Sequence, residues 1–287
     1  MKRLIVNADD FGLTVGVNAG IVRAFREGIV TSTTVMATGA ALADAVEQAR
    51  ANPRLGVGCH LVLIGGLAVA PRETVSSLVD RQGRLPASLF SLAAKLASGR
   101  VRVREIENEF RAQILLLRAV GIAPTHLDTH KHTHSIPQVM AALVCVAREF
   151  GISRVRKPFE DARGAAVARR NGGSPLRQRA LAAAARMTSP SFRRLVAKND
   201  MQTPDHFYGI HLTGRLHAEA VLRILESLPE GASELMCHPG LCDAELRRLP
   251  TRLKQQREEE LAALTDPVVR HAVEQREIRL VSFQELN

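Results

Sequence analysis

A chain of 287 residues that is 46% hydrophobic can bury a substantial core, which excludes a disulfide-stapled miniprotein and leaves room for one large barrel or two small domains. With no Trp and one Tyr it offers few of the aromatic platforms on which sugar rings stack. Its 39 Lys and Arg against 29 Asp and Glu give a formal net charge of +10, which favours anionic partners, but much of the excess gathers between Arg163 and Lys198 rather than in a dedicated nucleic-acid groove.

Leu4 to Ala8 is a short β-prone run ending in Asp9-Asp10-Phe11-Gly12, and the amphipathic stretch from Val17 to Glu27 predicts a helix closed at Gly28. Val30 to Ala37 predicts a second strand, with Ala40 to Ala51 as its helix and Asn52-Pro53 as the stop. Leu55 to Leu61 reads as a third strand carrying His60 near its end, after which Gly65 to Gly99 breaks the rhythm with Gly, Pro and Ser. Val103 to Val120 predicts a long helix, Thr125 to Asp128 a fourth strand, Pro137 to Phe150 its helix, and Ser153 to Lys157 a fifth strand stopped by Pro158. Phe159 to Asp200 interrupts again with Ala- and Arg-rich helical pieces. The rhythm then returns: strand Phe207 to Leu212, helix His217 to Leu228, strand Glu234 to Cys237 ending in His238-Pro239-Gly240, helices Thr251 to Leu264 and Pro267 to Gln275, and a last strand Ile278 to Val281. Such alternation implies an α/β fold with a mostly parallel sheet and right-handed crossovers, and seven or eight units of this kind predict a closed or nearly closed TIM-like barrel. One domain over residues 1–287 is expected, with helical or loop insertions at about 65–99 and 159–200.

The four cysteines, Cys59, Cys145, Cys237 and Cys242, show neither CxxC nor secreted disulfide spacing, which fits a reducing cytoplasmic location. The apolar run after Met1-Lys2-Arg3 is too short for a signal-peptide core, and the tract from Leu55 to Ala70 is below spanning length, so no transmembrane helix is expected.

The densest chemistry lies in His126-Leu127-Asp128-Thr129-His130-Lys131-His132-Thr133-His134, where four of the ten histidines join a carboxylate at a strand end and the loop after it. Alternating histidines share one side of an extended segment, and imidazoles gathered with a carboxylate suit a divalent metal; a solvated polar loop is the plainer alternative. In a parallel sheet Asp9-Asp10, His60, Asp128/His130 and His238 all open onto one rim. Asp9 and Asp10 share a site only where the chain leaves β geometry, since consecutive strand residues face opposite ways; otherwise they read as acids favoured at a helix start. One Asp and two His from different strand ends would supply the three-ligand set that leaves a position for water.

Together Asn7-Ala8-Asp9-Asp10-Phe11-Gly12, Gly58-Cys59-His60-Leu61, the His126 to His134 run and Met236-Cys237-His238-Pro239-Gly240 resemble the YdjC-like carbohydrate deacetylases, a family that includes chito-oligosaccharide and hopanoid-biosynthesis-associated deacetylases. The resemblance implies a distorted (β/α) barrel and one divalent metal ion, Mg²⁺ or Zn²⁺, held by Asp10, His60 and His130. It further implies Asp9 as general base, His238 as general acid and removal of an N-acetyl group from an amino sugar. Asp128 is a candidate partner orienting a ligand imidazole, His132 and His134 are candidate substrate contacts or a solvated loop, and Arg156 a candidate contact to the sugar or an anionic group. A general acid role would require His238 to titrate near or above neutrality. The substrate could be a soluble chito-oligosaccharide or an N-acetylglucosaminyl glycolipid, and the basic segment is compatible with peripheral membrane contact; a homodimer is compatible with a barrel enzyme of this type. Competing readings are a metal-containing nucleic-acid or phosphate-binding protein, favoured by the charge, and a phosphoester hydrolase, which a two-metal cluster would suit better.

Overall fold

The computed structural model describes residues 1–173 and 175–286. Its centre is β1 (Lys2–Phe11), buried from Leu4 onward. Leu4, Val6 and Ala8 pack outward into the main core beside α1 (Val15–Glu27), whereas Ile5 joins Ala232, Val281, Phe283 and Leu286 in a separate apolar cluster. The strand period of two therefore turns Ile5, Asn7 and Asp9 toward the inside of a curled sheet. The inside is apolar near the N-terminal ends of the strands and polar toward their C-terminal ends, where Asn7, Asp9, His60 and Asp128 are buried, with Glu234 buried at mid-strand level opposite Ile5.

Around β1 the sheet runs in the order β4 (Leu127–Thr129), β3 (Gly56–Leu61), β2 (Ser32–Val35), β1, β6 (Gly231–Cys237), β5 (His206–Tyr208), with every pair parallel. The last strand, β7 (Arg279–Leu280), pairs with Arg3 and Leu4, below the point where β2 takes up pairing at Asn7. The connecting helices are α2 (Leu42–Ala51), α4 (Val103–Ala119), α5 (Pro137–Glu149), α9 (Ala218–Ser227), the short α10 (Ala244–Arg248), α11 (Gln256–Thr265) and α12 (Pro267–Gln275). Their apolar faces cover the outside of the sheet, so strands buried on both sides read as near-continuous hydrophobic runs.

The result is a curled, half-barrel version of the expected TIM-like fold. Ser153 to Lys157, expected as a fifth strand, contributes only isolated bridges, Val155 to Leu127 and Arg154 to Gln202. Pro158 cannot donate to a ladder, and the chain turns away there. The next strand also ends earlier than its apolar run suggested, at Tyr208, because Gly209 adopts φ 120°.

Both interruptions of the βα rhythm are ordered against the barrel. Residues 65–99 contain an antiparallel bridge between Leu67 and Arg84 and the helix α3 (Leu89–Ala97). Two buried carboxylates on α4 pin this stretch: Glu109 accepts from the backbone N–H of Val69 and Ala70, and Glu105 from those of Ser77 and Leu78. Residues 159–200 form α6 (Ala162–Arg170), α7 (Leu176–Met187) and α8 (Ser189–Lys198), with α6 packed on α9 and α8 on α5. No helix among the described residues is long and apolar enough to cross a membrane.

Candidate active site

Asp9 and Asp10 reach the same site because the chain does leave β geometry between them. Asp10 sits at φ 69°, a left-handed conformation, and the pairing of β1 with β2 slips between Ala8 and Phe11. Asp9 thus keeps the inward direction of the strand, while Asp10 is re-aimed onto the rim.

Three donor atoms converge there. Asp10 Oδ1 lies 3.5 Å from His60 Nε2 and 3.4 Å from His130 Nδ1, and the two imidazole nitrogens are 3.2 Å apart. Asp10 Oδ1 is buried and has no hydrogen-bond partner among the described residues. An unsatisfied buried carboxylate oxygen facing two imidazoles is costly unless something cationic sits between them. Donors held about 2.0–2.1 Å from a tetrahedral ion stand roughly 3.3–3.4 Å from one another, close to the spacings here, whereas neighbouring donors of an octahedral ion stand about 3 Å apart. The residues present therefore fit a divalent ion.

Each candidate ligand is fixed from behind. Asp10 Oδ2 accepts from Arg257 Nη2 at 2.5 Å. His60 Nδ1 faces Asp128 Oδ1 at 2.8 Å, which leaves Nε2 for the centre and completes the carboxylate–imidazole arrangement that orients metal-binding histidines. Burial alone would lower His60, but the charge and hydrogen bond of Asp128, with Asp9 and Asp10, lift it to about 9, so binding of an ion at Nε2 displaces a proton from that nitrogen. His130 follows β4 directly and is aimed by Lys131 and His132, both left-handed at φ 55° and 53°. Two consecutive non-glycine residues in that region cost on the order of 1–2 kcal/mol each, a strain concentrated beside the site.

Beneath this triad lies Arg156, fully buried. Its guanidinium forks onto Asp9 at 2.6 and 2.7 Å, reaches Asp128 Oδ2 at 2.5 Å and donates through Nε to Glu234 Oε1 at 2.7 Å. Such a position corrects the expectation that Arg156 touches substrate: it has no exposed surface and instead organises three carboxylates. Burial would raise Asp9, yet the Arg156 charge and hydrogen bonds, with His60 and His238, hold it well below the usual carboxylate range. One guanidinium cannot compensate three carboxylates, and at Glu234 burial prevails over Arg156 and pushes the carboxyl up to about 8. A second cluster of metal-binding type, Asp9, His60 and Asp128, shares this space. Arg156 already occupies it, so the geometry holds one ion and not two.

His238 arrives from the end of β6, close enough for the charges of Asp9 and Asp10 to act on it. Burial nevertheless pushes its imidazole down to about 4, opposite to the direction expected for a standing general acid. Its backbone N–H donates to Glu260 Oε2 at 2.6 Å, and its Nδ1, 3.9 Å from the same oxygen, has no hydrogen-bond partner among the described residues.

The remaining histidines separate. His134 is fully buried, with Nδ1 at Thr129 Oγ1 and Nε2 at the Arg156 carbonyl, so both nitrogens are engaged; it is neither a substrate contact nor part of a solvated loop. His132, half-buried, packs edge-on against Phe207, with its ring centroid 5.8 Å away, and its Nδ1 is buried, so it is not freely solvated; burial and the Arg156 charge press its pKa well down. His126 stacks on Phe283 inside the barrel and meets Asn7 Oδ1 through Nε2. The alternation of the histidine run breaks because β4 ends at Thr129, so His126 and Asp128 face the interior while His130 turns to the rim.

Arg257, Glu234, Glu260 and Asn7 were not singled out in the sequence. Glu234, lone within the apolar strand Gly231–Cys237, and Asn7, within the Asn7-Ala8-Asp9-Asp10 motif, carried a local signal; Arg257 and Glu260, among the many charges of α11, carried none.

The family model for YdjC-like proteins matches residues 3–275. The chain belongs to the YdjC-like family. A carbohydrate deacetylase of Geobacillus stearothermophilus is 34% identical over 282 residues, covering 98% of this chain and 96% of that one. A chitooligosaccharide deacetylase of Yersinia enterocolitica is 34% identical over 289 residues, covering 99% of each. Among solved structures, one described as a cellobiose-phosphate cleavage protein of Enterococcus faecalis V583 superposes with a TM-score of 0.79 at 28% identity, covering 99% of this chain and 98% of that one. The match thus runs over nearly the full length of this YdjC-like chain and of each of these relatives.

Proposed function

We propose that this protein is a metal-dependent hydrolase that removes the N-acetyl group from an N-acetylated amino sugar and releases acetate. The observation that carries the reading is the convergence of Asp10 Oδ1, His60 Nε2 and His130 Nδ1 beside Asp9, in a chain collinear with carbohydrate deacetylases. When bound at those three donors, a divalent ion supplies Lewis acidity, making water more acidic and polarising the acetyl carbonyl. Two imidazoles and one carboxylate suit Zn²⁺ better than Mg²⁺, which prefers oxygen donors.

Asp9 is the proton acceptor for the attacking water. Arg156 holds it ionised near neutrality; Oδ1 also accepts from Asn7 Nδ2 at 3.0 Å, which leaves the second lone pair of Oδ2 for the proton. An amide nitrogen leaves only when protonated, and His238 is the group positioned to deliver that proton. Because burial keeps His238 neutral in the substrate-free site, the proton it delivers is the one Asp9 takes from the water, passed on before the amine leaves. Asp128 keeps His60 in the tautomer that presents Nε2.

Phosphoester hydrolysis is less well supported, since Arg156 fills the place where a second ion would sit. Acetate release from N,N′-diacetylchitobiose and from a short N-acetylglucosaminyl glycolipid tests the proposal. Release from either supports amino-sugar deacetylation and selects the soluble or lipid-linked version, and no release from folded, ion-loaded protein would reject both.

A further inference from the structure

Between Ala162 and Lys198 the sequence carries eight arginines and one lysine and no aspartate or glutamate, while the rest of the chain is almost balanced at 30 Lys and Arg against 29 Asp and Glu. Nearly the whole net charge therefore sits on α6, α7 and α8. Within this block α7 presents an apolar stripe to solvent rather than to the core. Leu176 is 79% exposed and Met187 83% exposed. Ala180 and Ala183 between them are exposed too, and with Leu176 and Met187 they follow the spacing of one helical face. Arg179 and Arg186, both exposed, flank that stripe, while Ala182 on the opposite side is buried.

Both ends of α7 are tied to the rim that carries the candidate site. Near its start the Gln178 side chain donates to the carbonyl of Ile210, just beyond β5, and at its end the Thr188 hydroxyl lies 2.6 Å from the carbonyls of both Ala185, in its own helix, and Ser135, the last residue of the turn that carries His130, which share its one proton. The helix lies across the rim with its apolar, arginine-flanked face outward.

We propose that α7 is an interfacial helix that docks this protein on an anionic membrane surface, with Leu176 and Met187 entering the headgroup boundary and Arg179 and Arg186 meeting lipid phosphates. Apolar residues flanked by arginines on a short surface helix match the two forces that hold such helices, burial of apolar area and attraction to anionic lipid. A nucleic acid would engage the same cations but has no use for an outward Leu and Met. Docking there sets the site at the bilayer boundary, where a lipid-linked N-acetyl sugar is the accessible substrate; that consequence rests on the deacetylase reading, whereas the binding does not.

Vesicle flotation at low salt with phosphatidylcholine alone, and with about one-third phosphatidylglycerol, tests it on the wild type and on the pairs Arg179→Glu/Arg186→Glu and Leu176→Ser/Met187→Ser. Acetate release from a soluble N-acetylated sugar is followed in parallel, so failure of docking and failure of the deacetylase reading are read separately. The wild type should float only with anionic vesicles. Charge reversal should lower the partition coefficient more than about tenfold, and the serine pair should abolish the part of binding that survives raised salt. Absence of flotation with anionic vesicles would overturn the proposal, as would flotation unaffected by either pair. Loss on charge reversal with none for the serine pair, together with equal competition by single-stranded RNA, would make the surface a general polyanion binder and likewise overturn it.

Discussion

Replacing Glu234 by Gln tests the charge balance under the site, because Gln mimics the protonated carboxyl in shape and donor capacity while removing its titration. Glu234 is fully buried, shares the Arg156 guanidinium with Asp9 and Asp128, and is pushed from 4.5 to about 8 by burial in excess of that compensation. A folded-state pKa above the unfolded one means that the folded chain holds a proton the unfolded chain releases. Stability from this group is full below pH 4.5 and is lost as pH rises through about 8. Between pH 5 and 8.5 the loss is on the order of 3–4 kcal/mol. A chain of 287 residues has an unfolding entropy of roughly 0.6 kcal/mol per kelvin, so this corresponds to roughly 6 °C in Tm. Scanning calorimetry of both proteins across that range should show near-equal Tm at the acid end and the variant gaining on the wild type toward the alkaline end. Glu160 and Glu260, which burial also raises to about 7, titrate in both proteins and cancel in the difference. Parallel curves would mean that Glu234 is ionised throughout and that Arg156 compensates all three carboxylates.

Asp9→Asn should lower kcat by about 10²–10⁴-fold with ion binding retained; turnover close to wild type would remove Asp9 as the proton acceptor. Asp128→Asn should weaken metal affinity by about 10–100-fold, measured by competition with a chelating dye, because His60 loses the carboxylate that orients it. Gly20→Ala would place a Cβ 2.4 Å from Gly240 Cα, forcing α1 away from the segment that carries His238. Destabilisation of about 1–3 kcal/mol and a fall in kcat should follow, and an unchanged Tm would show that the close approach is not needed.

Local pattern carried much of the fold into view. Most periodic helices lie within a residue or two of their expected bounds, α12 at the same residues, because an apolar stripe over three turns is a local signal; α11 is the exception, starting at Gln256 rather than Thr251. The strand from Ser153 to Lys157 was overread, since an apolar run before a proline does not reveal whether a neighbour will pair with it. At the site, the doubled aspartate and the histidine run pointed to the triad because its members are chemically rare in strands. Their supports were hidden by distance along the chain: Arg257 meets Asp10 across 247 residues and Arg156 meets Asp9 across 147. His134 looked like its neighbours in sequence, and only the end of β4 at Thr129 turns it into the interior while His130 faces the rim.

The most direct measurement is a titration of Zn²⁺ into metal-stripped protein, following ions bound per chain and acetate released from an N-acetylated amino sugar in the same samples, for the wild type and His130→Ala. Activity should rise in proportion to occupancy and saturate at one ion per chain, with the variant binding far more weakly and staying silent at concentrations that saturate the wild type. Acetate release by the stripped protein at the full rate, or an active His130→Ala with unchanged affinity, would contradict a metal centre built on Asp10, His60 and His130.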